Sequence, residues 1–150
     1  MNINDHTTPD KLEKYSFLWS EVRLAIASIS LIIGGYPVVY RLMPSYSFFR
    51  PISGLLALAW IISGLASVYL AYRWNKNGQK LFGVKDQKDT WIFFITVISG
   101  INLGFAGLIG RNIGMSILPI KIVFLAVGVV YIYCAYYLHK RWKSYGEKIF

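Results

Sequence analysis

Four long blocks without a single charged residue constrain this chain more than any other feature. They cover residues 24–40, 51–72, 90–110 and 122–138. The hydrocarbon core of a bilayer is about 30 Å thick and is crossed by roughly 17–25 apolar residues of helix. Each block meets that length, and none carries the polar stripe that a helix on the surface of a soluble protein needs. The blocks therefore predict four membrane-spanning helices.

The composition agrees with this prediction. Charged residues make up 15% of the chain and hydrophobic residues 55%, whereas an average soluble domain is about 25% charged. We predict an all-α, polytopic integral membrane protein with one domain, residues 1–150, in which four transmembrane helices form a bundle. The predicted spans cover about 20–41, 51–73, 90–110 and 118–139.

The lysines and arginines lie mostly on one side of the predicted membrane. Of the 16, eleven fall in the two terminal tails and in the connection between the second and third spans. Cationic loops stay in the cytoplasm, so we predict an integral protein of a bacterial plasma (inner) membrane with both termini cytoplasmic. The formal charge of +9 therefore indicates topology and attraction to anionic lipid headgroups at the cytoplasmic face, and no nucleic acid is predicted as a partner.

Two of the predicted spans begin and end alike. Residues 51–78 and 119–146 align without a gap, and Pro, Ile, Leu, Arg, Trp and Gly coincide near the ends of the alignment. Two interpretations stay open. One is a pair of parallel helical-hairpin repeats, and the other is a set of start and stop signals that any helix entering from that side shares.

Small residues form a stripe along the third predicted span. Gly100, Gly104 and Gly107 lie within one arc of a helix at about 100° per residue. Lipid gives helices no hydrophobic reason to associate, so small residues that let backbones approach indicate packing surfaces in a bilayer. The second and first spans carry candidate packing residues of their own, namely Ser63, Ser67 and Gly34. Whether the stripe contacts another span or a second copy of the chain, as a homo-oligomer, stays open.

Three polar residues are candidates for a polar pathway through the membrane. Asn102 lies roughly 140° from the glycine stripe, and a primary amide facing lipid is costly, so we expect it to face protein or water. Its two open roles are an interhelical hydrogen bond and the lining of a pathway. Glu21 and Arg23 lie near the start of the first span, where long side chains reach the headgroups or form a gating pair.

No pattern typical of catalysis or cofactor binding occurs in the sequence. The chain has one cysteine, Cys134, and two histidines, His6 in the first tail and His139 at the end of the fourth span. These cannot form a redox pair or a haem site held by two facing histidines. CxxC, HExxH, GxSxG and phosphate-loop motifs are absent. We therefore predict no enzyme, no cofactor and no metal site.

Two functions from different classes fit these features. The first is a non-catalytic scaffold or accessory module that packs its helices against a second copy or a larger membrane complex. The alternative is a small oligomeric channel or transporter for an ion or a small solute. A scaffold predicts that Asn102, Ser63 and Ser67 pair across dry interfaces, whereas a transporter predicts that they line a wet cavity.

Overall fold

The structure is a computed structural model that describes residues 8–35, 37–41, 49–117 and 119–150. Across these residues the chain is helical and contains no β-strand. The helices are α1 (Pro9–Ile32), α2 (Val38–Arg41), α3 (Phe49–Lys76), α4 (Gln87–Ile109), α5 (Ile113–Ile117) and α6 (Lys121–Ser144).

Four of these helices, α1, α3, α4 and α6, are long and apolar enough to span a membrane. Their lengths correspond to about 35–42 Å of helix, which exceeds the roughly 30 Å of a bilayer core. Large apolar side chains stay exposed on each of them, for example Leu55, Ile98 and Ile122, as expected for surfaces that face lipid. The prediction of an all-helical chain with four helices of membrane-spanning length is confirmed.

The first helix begins at Pro9, although the sequence analysis places the start of the first span near residue 20. Proline is favoured in the first turn of a helix because its missing N–H has no helical partner there. The polar residues that follow continue the helix because other parts of the chain bind them. Glu13 pairs with Arg73 of α3, and Lys14 pairs with Glu147 after α6.

The first helix also ends earlier than the predicted span, at Ile32 rather than near residue 41. Gly34 and Gly35 follow it with φ angles of 109° and 84°, in the left-handed region that favours glycine. A Cβ on Gly34 would meet nothing within 4 Å. Gly34, a predicted packing residue, therefore turns the chain after α1, and a side chain added there would touch none of the described residues.

The long helices pack side by side and alternate in direction. α3 lies against α4, α1 lies against α6, and α1 also contacts α3. We define the tail end as the end where α1 and α4 begin and where α3 and α6 finish. The far end is the opposite one, where α2 and α5 lie.

Glycines allow α3 and α4 to approach each other closely. A Cβ on Gly104 would lie 2.8 Å from the Cα of Gly64, and one on Gly100 would lie 1.8 Å from the Oγ of Ser67. A Cβ on Gly107 would lie 2.6 Å from a backbone oxygen of α3. The three glycines of the predicted stripe thus contact α3 of the same chain, and Gly64 and Ser67 form the other side of that contact.

The Gly104→Ala substitution is expected to destabilise the protein by about 1–3 kcal/mol, the usual effect of overpacking a well-packed contact. The added methyl group would press on the backbone of α3 at Gly64. Gly54→Ala is the matched control, because a Cβ on Gly54 of α3 meets nothing within 4 Å. Thermal unfolding in a mild detergent measures both variants. If both shift the midpoint equally, the α3–α4 contact is not as close as described.

The tail end contains a buried ion pair between α4 and α6. Asp89, in the first turn of α4, is fully buried. It accepts hydrogen bonds from Nη2 of Arg141 at 2.6 Å, from Nε of Arg141 at 3.0 Å and from the Tyr137 hydroxyl at 2.8 Å. The side chain of Asp86 caps the helix by accepting from the Asp89 N–H. These bonds fix the start of α4 against the end of α6.

The segment after α6 is held at the tail end by further bonds. Glu147 accepts hydrogen bonds from Lys14 and Lys143, and these two cations lower the pKa of Glu147 to about 2. Its carboxylate is therefore ionised at neutral pH. The backbone N–H of Phe82, in the α3–α4 connection, donates to the carbonyl of Ile149 at 2.7 Å. The segment thus contacts both the first helix and the α3–α4 connection.

Candidate functional site

Arg23 lies near the middle of the long helices, away from both ends. It is 6% exposed and lies about 15 Å along α1 from Glu13. Its Nη1 donates to the Oγ of Ser99 at 3.0 Å, and its Nη2 donates to the backbone oxygen of Thr96 at 2.9 Å, both on α4. From the sequence alone, Arg23 is expected near the end of a span. The earlier start of α1 moves it into the interior instead.

No carboxylate among the described residues pairs with Arg23. Both of its hydrogen-bond acceptors are uncharged, and its Nε is buried without a partner. A guanidinium group carries five N–H donors, so this side chain has donors to spare. Arg73 is different, because it pairs with the carboxylate of Glu13 at the tail end. Arg23 is therefore a buried cation whose charge is not balanced by any carboxylate in the described part of the chain.

Glu21 does not supply the missing charge, although it is only two residues away. Two residues turn a helix by about 200°, so Glu21 and Arg23 lie on opposite sides of α1. The Oε2 of Glu21 lies 2.9 Å from the Nδ1 of His139 on α6. The structure thus directs the two members of the suggested gating pair to different helices.

Arg23 lines a cavity of about 650 Å³ that lies between the four long helices. The floor of this cavity, nearest the tail end, consists of Trp19, Arg23, Ser63, Ser99 and Tyr131. The Nε1 of Trp19 donates to the Oγ of Ser63 at 2.9 Å, and this bond connects α1 with α3 across the floor. From the floor, the cavity extends along the helices to α5 at the far end.

The walls above the floor are mostly apolar. They include Ile26, Leu31, Leu56, Leu103, Phe124 and Val127. Val22 and Ile26 line the cavity and are nevertheless 56% and 54% exposed. Within the described residues, the cavity therefore extends to the exposed face of α1. The side chains that border it there are hydrocarbon.

Asn102 lines the cavity and connects α4 to the segment that covers the far end. Its Nδ2 donates to the Oδ1 of Asn112 at 2.8 Å, and its Oδ1 accepts from the backbone N–H of Gly114 at 3.2 Å. A Cβ on Gly35 would lie 2.4 Å from the Cε of Met115. Among the described residues, the far end of the cavity is therefore lined by α2, by α5 and by the loop before α5, which Asn102 holds against α4.

The other predicted polar residues are divided between the cavity and the helix contacts. Ser63 lines the cavity and also donates to the backbone oxygen of Ala59 at 2.7 Å. Ser67 is fully buried against Gly100 of α4, and its Oγ has no partner. Of the three residues chosen to distinguish a scaffold from a transporter, Asn102 and Ser63 thus line the cavity, whereas Ser67 lies in the α3–α4 contact.

Three of the residues that form the floor do not stand out in the sequence. Trp19, Ser99 and Tyr131 resemble the many other aromatic and hydroxyl residues of the spans. One signal was available for Trp19, because its four-residue spacing from Arg23 places both side chains on the same face of a helix. Nothing comparable connects Ser99 or Tyr131 to Arg23, because they lie on other helices.

The described residues contain no group of three or more His, Cys, Asp or Glu side chains that could hold a metal ion. The polar chemistry of the cavity therefore rests on a guanidinium group, hydroxyls, an indole and amides. No protein family, curated protein or solved structure matches this chain.

Proposed function

We propose that this protein binds an anionic ligand inside the membrane, at Arg23, and belongs to the transport class as a small carrier or receptor. The observation that carries the proposal is a buried arginine with a free Nε and no carboxylate partner among the described residues, placed at the floor of a cavity. A bound anion would supply the charge and the acceptors that Arg23 lacks.

The energetic argument concerns the position of this cation. An arginine at the centre of a membrane-spanning helix costs about 2.5–3.5 kcal/mol on insertion scales, and such residues usually pair with one another or face a functional cavity. Arg23 gains two hydrogen bonds to uncharged oxygens and no ion pair within the described chain. A methionine there would avoid the desolvation cost. The presence of an arginine at this position is best explained by an anionic ligand that binds it.

The proposed setting is a bacterial plasma membrane with both termini in the cytoplasm. The tail end then faces the cytoplasm, where eleven of the 16 lysines and arginines lie and attract anionic headgroups. Arg23 lies at mid-depth of a four-helix bundle, and the cavity occupies the outer half. No catalytic step, cofactor or nucleic acid is part of the proposal.

A scaffold that self-associates or joins a larger complex is our second candidate. The glycine stripe suggested it, and Gly100, Gly104 and Gly107 contact α3 of the same chain. That use leaves the stripe unavailable to a partner, so we rank the scaffold below the anion-binding protein.

The test is a thermal melt of the purified protein in an uncharged maltoside detergent with four anions. These are inorganic phosphate, butyrate, oleate and dodecyl phosphate. At least one is expected to stabilise the wild type, by about 2.7 kcal/mol at a hundredfold excess over its Kd. The Arg23→Gln variant is expected to lose this stabilisation, because it keeps a polar side chain and removes the charge.

Arg111→Gln is the matched control for this experiment. It removes the same charge from an exposed position in the loop before α5. The control is expected to respond to the anion like the wild type. If Arg23→Gln responds like the wild type as well, or if no anion stabilises either protein, the anion does not bind at Arg23 and the proposal fails.

A further inference from the structure

The size of the cavity and the placement of its polar groups restrict the ligand further. About 650 Å³ lies within the range of roughly 300–1,000 Å³ typical of small-molecule pockets. The charge and most of the hydroxyls lie at the floor, while the walls beyond are apolar. A bare inorganic anion on Arg23 would leave most of the cavity empty.

The opening indicates where the ligand comes from. At the far end, Asn102 donates to Asn112 and accepts from the N–H of Gly114, which holds the start of α5 beside the cavity. At the side next to α1, the exposed apolar residues Val22 and Ile26 border it. A hydrocarbon rim at this depth faces lipid chains rather than water. A ligand that enters here arrives from the bilayer.

From these two observations we propose that the ligand is an anionic lipid of the surrounding membrane. Its acidic head, a carboxylate or a phosphate, binds Arg23 and the hydroxyl of Ser99, and its hydrocarbon chain fills the space beyond. That space runs about 12 Å along α1, from Arg23 to Leu31. This inference rests on the proposed anion binding at Arg23 and adds the chemical class of the ligand.

The acidic head and the hydrocarbon chain of the ligand contribute separately to its affinity. A series of ligands therefore tests anion binding at Arg23 and chain binding in the cavity independently. Binding to the wild-type protein in phosphatidylcholine nanodiscs is measured by equilibrium dialysis with labelled oleate, dodecyl phosphate, butyrate, inorganic phosphate and oleyl alcohol. Oleate and dodecyl phosphate are expected to bind at least tenfold more tightly than butyrate and inorganic phosphate. Oleyl alcohol has the chain without the charge, and its binding is expected to be insensitive to Arg23→Gln.

Two further variants test the place of the chain without touching the arginine. Ala27 lines the cavity one helical turn beyond Arg23, whereas Ile29 is 48% exposed on the same helix. Ala27→Phe fills part of the cavity and is expected to weaken oleate binding at least tenfold. Ile29→Phe adds an aromatic ring outside the cavity and is expected to leave oleate binding unchanged.

Each outcome decides one claim. If butyrate and inorganic phosphate bind as tightly as the chain-bearing anions and Arg23→Gln abolishes that binding, the protein binds anions but the lipid assignment is wrong. If no anion depends on Arg23, both proposals are wrong. If Ala27→Phe binds oleate as the wild type does, the chain lies outside this cavity and the lipid assignment is again overturned.

Discussion

The Asp89→Ala variant is expected to lose about 3 kcal/mol of folding free energy. Hydrogen bonds to charged groups contribute roughly 1.5–3 kcal/mol each, and the fully buried Asp89 accepts them from three donors, namely Nε and Nη2 of Arg141 and the Tyr137 hydroxyl. The loss stays below the sum because the side chain of Arg141 is 35% exposed and turns to water when its partner is removed. The carboxylate also lies in the first turn of α4, where negative charge stabilises a helix.

Asp86→Ala is the matched control for Asp89→Ala. It removes a carboxylate from the same turn, but Asp86 is exposed and only caps the helix, which typically contributes about 1 kcal/mol. Denaturant titration in a mild detergent compares the two. A cycle with Arg141→Met isolates the coupling between Asp89 and Arg141. Equal losses for the two single alanine variants would mean that the buried ion pair adds nothing to the cap.

The membrane-spanning helices are predictable from the sequence because the solvent dictates them. In a bilayer every backbone polar group must be satisfied within the chain, which favours helix along a long uncharged block. The block 24–40 is the exception, because α1 ends at Ile32 and the glycines Gly34 and Gly35 turn the chain. The starts and ends are different. Residues 9–16 are mostly polar, and the chain continues as a helix there because Glu13 and Lys14 bind Arg73 and Glu147. Such partners lie far away in sequence, and no local pattern indicates them.

The candidate site is less predictable for a related reason. Arg23 and Asn102 are visible in the sequence as polar residues in apolar surroundings, and both line the cavity. The depth of Arg23 depends on where α1 begins, and the bond between Asn102 and Asn112 depends on how the loop folds back over α4. The cavity itself depends on the distances between four helices, which side-chain volumes determine collectively. Periodicity within one helix contains no information on those distances.

Arg23→Met is expected to stabilise the protein when no anion is present, by about 1 kcal/mol or more. Replacing a complete buried ion pair by apolar residues of similar volume is often neutral or stabilising by roughly 1–4 kcal/mol. Arg23 has the desolvation cost of a buried charge without the attraction of a partner, so we expect the same sign for its replacement. The change leaves no carboxylate unpaired, since none of the described ones pairs with Arg23. The backbone carbonyl of Thr96 loses the hydrogen bond from Arg23, and the hydroxyl of Ser99 loses the other one. The Ser99 hydroxyl is then free to bond a backbone carbonyl within α4.

Arg73→Met makes the same chemical change as Arg23→Met but is expected to destabilise the protein. Arg73 pairs with Glu13, whose side chain is 9% exposed, so its removal leaves a nearly buried carboxylate without its cation. Breaking such a pair costs about 3–5 kcal/mol. Melting both variants in an anion-free maltoside buffer compares the two arginines directly. If Arg23→Met destabilises the protein, the role of Arg23 is to stabilise the fold. If Arg23→Met instead stabilises the protein, the arginine costs folding free energy and has a role other than folding. Binding of an anionic ligand at Arg23 requires this result.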